Sequence, residues 1–322
     1  MDSLANKVIL VTGGAGFIGS NLVASLLELG AKVRVLDNLE TGHFKNIEPF
    51  LKQPNFTFIE GSIADFDTCL KATAGVDAIS HQAALGSVPR SIAFPHKTHE
   101  ANATGFLNII HAAKENNVKR FVFASSSSVY GDSKASPKTI GAEGKLLSPY
   151  AVTKALNEEY ASVYHKLHGM QTVGLRYFNV FGHNQDPNGV YAAAIPKFID
   201  KLIKGDELVI NGDGEQTRDF TFVKNAVMAN ILALTTTNEA AFGRPFNVAC
   251  SRFQSLNQIV AVLKENLANR GLLSQNATIV NGPDRAGDIR DSLADISETT
   301  ALLGYTNVIH FEEGIKALID SL

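Results

Sequence analysis

The sequence predicts a doubly wound α/β fold, a parallel sheet covered on both faces, with a smaller C-terminal domain laid over its edge. Three observations predict it. Short apolar runs alternate with segments of helical periodicity through the first half of the chain, as strands joined by crossover helices do. A glycine-rich turn follows the first of those runs directly. Beyond about Phe181 the alternation loses its regularity and polar, turn-rich stretches take over.

Taken in order, residues 8–12 form a β-branched run and residues 17–29 carry apolar side chains at helical spacing. Residues 32–36, 56–60, 78–80 and 121–124 read as further strands. Residues 98–116 and 150–168 read as long helices between strands, and the crossovers should be right-handed. Residues 182–189, 212–214 and 281–291 are polar and turn-rich, whereas 172–177 and 245–248 look like strands that return to the main sheet. The expected division is a doubly wound domain over 1–180 and a smaller domain over 181–322.

Composition sets outer limits. The chain has 322 residues, 45% hydrophobic and 19% charged, enough for a sizeable core in one large domain or two smaller ones. A formal net charge of -3, with no basic block, argues against nucleic acid as a partner. No run approaches the ~20 apolar residues of a membrane span. The only cysteines, Cys69 and Cys250, lack metal-ligand spacing. They read as small buried apolar residues in a reducing, cytoplasmic setting, with no bound metal.

The first turn carries the first chemistry. Gly13, Gly14, Gly16 and Gly19 satisfy a dinucleotide-binding spacing in either of two registers. Glycines permit a tight turn and let backbone amides approach a pyrophosphate at a helix N-terminus. The motif alone is weak, since glycine-rich turns are common. Its place after the first strand strengthens it, as does Asp37, 18 residues after Gly19 at the end of the next run. A carboxylate there accepts hydrogen bonds from both adenosine ribose hydroxyls and repels a 2′-phosphate, which favours NAD over NADP. The fold class is accordingly the Rossmann type.

Two further segments carry reactive groups. Ser125, Ser126, Ser127 and Ser128 follow a strand, and Tyr150 and Lys154 stand four apart at the start of a helix that opens on Pro149. Side chains at that spacing share a helix face. A free tyrosine, with a pKa near ~10, is a poor base at neutral pH. A nearby ammonium and a positively charged nicotinamide ring favour the phenolate. The phenolate can then remove a proton from a substrate hydroxyl while a serine relays that proton or holds the oxygen. An ordinary amphipathic helix produces Tyr-x-x-x-Lys by chance; the glycine turn and serine-rich strand end make that reading the weaker one here.

With these residues in view, the chain resembles the extended short-chain dehydrogenase/reductases, and within them the UDP-hexose 4-epimerases. The likeness runs through Asp37-Asn38 with Thr41-Gly42-His43, His81-Gln82-Ala83-Ala84, the serine run, Tyr150 and Lys154. It continues through residues 175–182, Thr217-Arg218-Asp219-Phe220 and Arg285-Ala286-Gly287-Asp288. Residues 86–91 and 186–197 look like the branch acting on UDP-N-acetylglucosamine.

That resemblance implies roles. It makes Ser126, Tyr150 and Lys154 catalytic. It gives NAD a site at Gly13, Gly16, Phe17, Ile18, Gly19, Asp37, Asn38, Gly42, Ser62, Ile63, Gln82, Ala83, Ala84, Asn102 and Tyr177, together with Tyr150 and Lys154. It gives a UDP-sugar a site at Gly86, Ser87, Ser126, Ser127, Ser128, Asn179, Ala193, Arg218, Arg285, Asp288 and Ser292. The two arginines would clamp the diphosphate, which suits the forked guanidinium. Ser62 departs from the family pattern, which places an aspartate near the adenine amino group. Ser292 stands where epimerases restricted to UDP-glucose and UDP-galactose carry a tyrosine. The small side chain would leave room for an N-acetyl group at C2.

The implied reaction is C4 epimerisation of UDP-N-acetylglucosamine and UDP-N-acetylgalactosamine through a 4-keto sugar, with UDP-glucose and UDP-galactose as possible further substrates. Three alternatives compete. A 4,6-dehydratase would need acids at the strand end, where serines stand. A 4-epimerase of UDP-N-acetylglucosaminuronate would need a basic group for the carboxylate, with Arg90 as a candidate. A non-catalytic NAD-binding protein would commonly lack Tyr150 or Ser126. Relatives pair two helices per subunit into a homodimer, and the corresponding segments here are residues 98–116 and 150–168. Residues 98–116 would contribute Phe106, Ile109, Ile110 and Ala113, unless that stripe is buried within one subunit.

Overall fold

The computed structural model describes residues 4–188, 193–283 and 291–322. The first half alternates strongly. Strand β1 (Val8–Thr12) leads through α1 (Phe17–Glu28) to β2 (Lys32–Asp37) and β3 (Phe56–Glu60), then α2 (Phe66–Thr73) and β4 (Ala78–His81). Three helical pieces follow, α3 (Val88–Ala93), α4 (Pro95–His99) and α5 (Gly105–Glu115), with a π turn over Glu100–Thr104 between the last two. Strand β5 (Arg120–Ser126), α6 (Pro149–His168) and β6 (Gln171–Tyr177) complete this part.

The later elements are shorter. They are β7 (Val180–Phe181), α7 (Ala194–Lys204), β8 (Leu208–Asn211), β9 (Thr217–Arg218), β10 (Thr221–Phe222), α8 (Val223–Thr235) and β11 (Arg244–Val248). Then come β12 (Gln254–Ser255), α9 (Leu256–Asn269), β13 (Ile279–Gly282), β14 (Asp291–Ser292), α10 (Ser297–Leu303) and α11 (Phe311–Asp320).

Seven strands form one parallel sheet in the order β11-β6-β5-β4-β1-β2-β3. The chain runs outward from β1 to β3, then restarts at β4 on the other side, so the strand order reverses between β1 and β4. Such a reversal opens a crevice at the carboxyl ends of the strands. Helices cover both faces, as a parallel sheet with apolar strands requires. On one face α1 and α8 bury Leu22, Val23, Leu26, Ala226 and Ala233. On the other, α2, α5 and α6 bury Cys69, Phe106, Ile109, Ile110 and Tyr164. A third core gathers α7, α9 and α11 around Phe181, Phe222 and Phe311. The doubly wound expectation therefore holds.

The two helices considered for pairing differ in exposure. The stripe of Phe106, Ile109, Ile110 and Ala113 on α5 is fully buried inside this subunit, against Phe121 and Phe123 of the sheet. It is spent on the core and cannot bury a partner. On α6, by contrast, Val152, Val163 and Leu167 are 51%, 44% and 72% exposed. Among the described residues, no helix is long and apolar enough to cross a membrane.

Helix α6 has clear ends. Ser148 accepts the Ala151 amide at 3.1 Å as N-cap and Pro149 fills the first turn. Gly169, at φ 62°, ends it in the left-handed conformation. The start of this helix therefore sits at a fixed register beside the end of β5.

Candidate active site

The crevice holds a cavity of about 450 Å³, within the range of ligand pockets. Its floor is the glycine turn. Gly13 has φ +68°, and a Cβ there would fall 2.7 Å from the Ala83 backbone. A Cβ on Gly19 would fall 2.1 Å from the Gly13 carbonyl oxygen. Only glycine brings α1 this close to the turn, with its N-terminal amides facing the cavity.

Asp37 closes the next strand. Its Oδ2 accepts the Ala15 amide at 2.9 Å and its Oδ1 the Leu39 amide at 2.8 Å. Burial pushes its carboxyl up and these two hydrogen bonds oppose that. Each oxygen keeps a further lone pair for a diol. Ser62 lines the cavity, but its hydroxyl accepts the Ala64 amide at 3.1 Å and so shapes its own turn. Glu40 and Lys97 form an ion pair between two segments of the cavity wall.

All but one of the residues expected at the cofactor line this cavity: Gly13, Gly16, Phe17, Ile18, Gly19, Asp37, Asn38, Gly42, Ser62, Ile63, Gln82, Ala83, Ala84, Tyr150, Lys154 and Tyr177. Asn102 does not. It is buried one layer behind, bonded to the Leu85 backbone at 2.7 and 3.1 Å and to Thr153 Oγ1 at 3.3 Å. It braces the wall and α6.

The reactive end brings together the groups expected there. Lys154 is buried, and its Nζ donates to the Ala124 carbonyl at 2.7 Å and lies 5.9 Å from the Tyr150 ring centre. Burial pushes its ammonium down to about 8, against the charge of Glu158. Burial also pushes the Tyr150 phenol up, and a hydrogen bond with Ser126 lowers it. His81, behind them, meets Thr12 Oγ1 at 2.7 Å. Burial, and then the Lys154 charge, push it down to about 3, so it is neutral at physiological pH.

Sequence reasoning missed Asn230. This α8 residue donates to the Tyr177 hydroxyl at 2.7 Å and accepts from Ser80 Oγ and Gln82 Nε2, each at 2.9 Å. Tyr177 in turn donates to Gln82 Oε1 at 3.1 Å. An asparagine amid the apolar residues of α8 was the available signal, since a buried amide needs partners.

The residues expected at the substrate come from several separate segments. Ser126 ends β5, and its hydroxyl accepts the Ser128 amide at 3.1 Å. Ser127 begins the following 3-10 turn, and the Ser128 hydroxyl is buried without a partner. Gly86 lines the cavity, and Ser87 caps α3 by accepting the Arg90 amide at 3.3 Å. Asn179 adopts φ 35° and donates to the Asp219 carbonyl at 3.0 Å. Ala193 caps α7. Arg218 and Ser292 are paired residues of the adjacent strands β9 and β14. Arg285 and Asp288 lie outside the described residues.

Asp219 was also missed as a structural group. It is fully buried, accepts the Cys250 amide at 2.9 Å and the Ala294 amide at 3.3 Å, and thereby joins β9 to the segment after β11 and the segment after β14. Burial pushes its carboxyl up to about 7, against those hydrogen bonds.

Residues 9–249 match the NAD dependent epimerase/dehydratase family. The chain belongs to this family. A putative UDP-glucose 4-epimerase of Methanocaldococcus jannaschii is 36% identical over 97% of both chains. The solved UDP-N-acetylglucosamine 4-epimerase of Methanobrevibacter ruminantium, in complex with UDP-N-acetylmuramic acid, superposes with a TM-score of 0.90 at 37% identity over 98% of both chains. A Bacillus cereus UDP-glucuronic acid 4-epimerase, in complex with UDP-glucuronic acid and NAD, superposes at 0.87 with 30% identity, over 97% of this chain and 98% of that one. The chain is thus an enzyme of the epimerase/dehydratase family with NAD as its cofactor. The residues present fit that cofactor: the glycine turn leaves the space a Cβ would fill, and Asp37 keeps acceptors for a diol.

Proposed function

We propose that the protein interconverts UDP-N-acetylglucosamine and UDP-N-acetylgalactosamine by inverting C4 through a 4-keto sugar. The observation that carries this reading is the close set of Tyr150, Lys154 and Ser126, with serines at strand-end positions 125–128 where a dehydratase would place acids. NAD, when bound, supplies hydride acceptance and return at C4. Tyr150 takes the C4 hydroxyl proton and gives it back, with Ser126 holding the same oxygen. Lys154 favours the phenolate by its charge. Arg218, with Arg285, would hold the diphosphate while the sugar turns.

Support for the N-acetyl preference comes from Ser292, the partner of Arg218 across β14 and β9. A small side chain there leaves space beside the sugar C2 substituent. The 31%-identical UDP-N-acetylglucosaminuronate decarboxylase and the glucuronate epimerase favour testing C6-carboxylated sugars as well. The deciding experiment is an NMR assay with each UDP-sugar separately and no added NAD. Interconversion of the acetylated pair is expected. Turnover of only the non-acetylated pair would overturn the substrate class, and turnover of only uronates would replace it.

A homodimer belongs to the same reading, with α6 as one of the pairing helices. Val152, Val163 and Leu167 leave that helix with an exposed apolar side suited to a second copy. Leu167→Glu should shift sedimentation toward monomer. The buried, unpaired Cys69 and Cys250 support a reducing, cytoplasmic setting.

A further inference from the structure

Helix α6 carries a third polar residue on the register of Tyr150 and Lys154. Glu158 follows Lys154 by four positions, so the three side chains stand one above another on a single helix face. The Glu158 side chain is 11% exposed, and the carboxylate is shared. Its Oε1 accepts the Ser125 hydroxyl at 2.5 Å and Arg176 Nε at 2.9 Å; its Oε2 accepts Arg176 Nη2 at 2.7 Å. Arg176 Nη1 donates to Glu143.

The positions of these partners matter. Ser125 stands between Ala124, whose carbonyl takes the Lys154 ammonium, and Ser126, the hydroxyl beside Tyr150. Arg176 precedes Tyr177 of the cavity wall on β6. One carboxylate therefore ties together the strand end bearing Ser126, the helix bearing Tyr150 and Lys154, and the strand leading to Tyr177. The charges also balance. Two cations, Lys154 and Arg176, stand with two anions, Glu158 and Glu143, and buried charges persist only when compensated in this way.

We propose that Glu158 is a positioning residue of the proton-transfer site, keeping Lys154 an ammonium and fixing the end of β5 that carries Ser126. Burial alone pushes the Lys154 ammonium down, and Glu158 is the group that opposes it. The other groups around Lys154 do not replace it. His81 from β4 is neutral, Tyr177 from β6 is pushed up to about 12 by burial, and Arg176 adds positive charge. Tyr130 packs under Arg176, while Lys97 of α4 is paired with Glu40 and Glu100 of the π turn lines the cavity. Arg90 stands on α3. The α5 groups His111, Lys114 and Glu115 belong to the far end of α6, where His111 meets Tyr164.

The role rests on Tyr150 as the base, but the charge of Lys154 can be read without turnover. NMR titration of the full chain with isotope-labelled lysine, assigned with Lys154→Met, gives its midpoint. Glu158→Gln should lower that midpoint by about one pH unit or more, a tenfold weaker hold on the proton. The alkaline limb of the kcat profile should fall with it, and the NAD content should not change. Glu158→Asp retains the charge and should keep the midpoint near wild type. An unchanged midpoint in Glu158→Gln overturns the proposal. If that variant does not fold, a lowered midpoint in Glu158→Asp does so. A chain with no activity on any UDP-sugar, yet with the midpoint lowered in Glu158→Gln, removes the epimerase reading and leaves the role of Glu158 toward Lys154 standing.

Discussion

The two sides of the cleft are built by different means. The cofactor side stands on strands of four to seven residues within one buried sheet, whose ends aim backbone amides and Asp37 at the cavity. The opposite side, around Arg218 and Ser292, stands on two-residue strands, β7, β9, β10, β12 and β14, gathered from residues 180 to 292. Each of those strands is too short to hold its own place, since a pair of residues contributes few ladder bonds. Position there comes from individual buried contacts such as Asp219 to Cys250 and Ala294. A regular sheet can present a cofactor site with a local motif, whereas a site of short strands depends on contacts distant in sequence.

The largest effect should break the chemistry and leave both sides intact. Tyr150→Phe removes the phenol and keeps the ring, so kcat should fall by roughly 10²–10⁴-fold. Bound NAD, read by absorbance after denaturation, should remain. Next, Gly19→Ala attacks the cofactor side alone. Its Cβ would meet the Gly13 carbonyl oxygen at 2.1 Å, and the purified protein should lose its NAD while nucleotide-sugar binding, read by calorimetry, declines less. Ser292→Tyr attacks only the substrate side. Turnover of N-acetylated sugars should disappear while UDP-glucose turnover survives, and equal loss on both would remove the gatekeeper role.

The smallest effect is on stability. Asp219 has a folded pKa raised to about 7, above the ~3.9 of an unfolded aspartate. Between those values the folded chain holds more protons than the unfolded one, so stability should fall as pH rises from about 4 to about 7. Asp219→Asn should flatten that slope in urea denaturation. An identical slope in both proteins would show that the short-strand side does not depend on this buried carboxyl.

Legibility followed the same division. The glycine turn, Asp37, Tyr150 and Lys154 were readable because each function lies within a few residues of its structural cue. Residues 78–80 and 121–124 were readable as strands from their apolar runs, although β5 extends to Arg120 and Ser126. Asn230, Asp219 and Glu158 stand out in the sequence only as polar residues, and their roles were not readable because the partners of each lie far away along the chain. The α5 stripe was legible as an apolar face but not as to what covers it; burial under a sheet and burial under a partner ask for the same residues.

The position of β11 has a consequence for synthesis. It pairs with β6 at the edge of the main sheet, although α7 and α8 are made between them. As the chain leaves the ribosome, β6 therefore holds an open row of amides and carbonyls until Arg244–Val248 emerges to cover it. Unpaired edges of this kind attract other chains. A nascent chain halted before Arg244 should bind chaperones more strongly than one halted just after Val248.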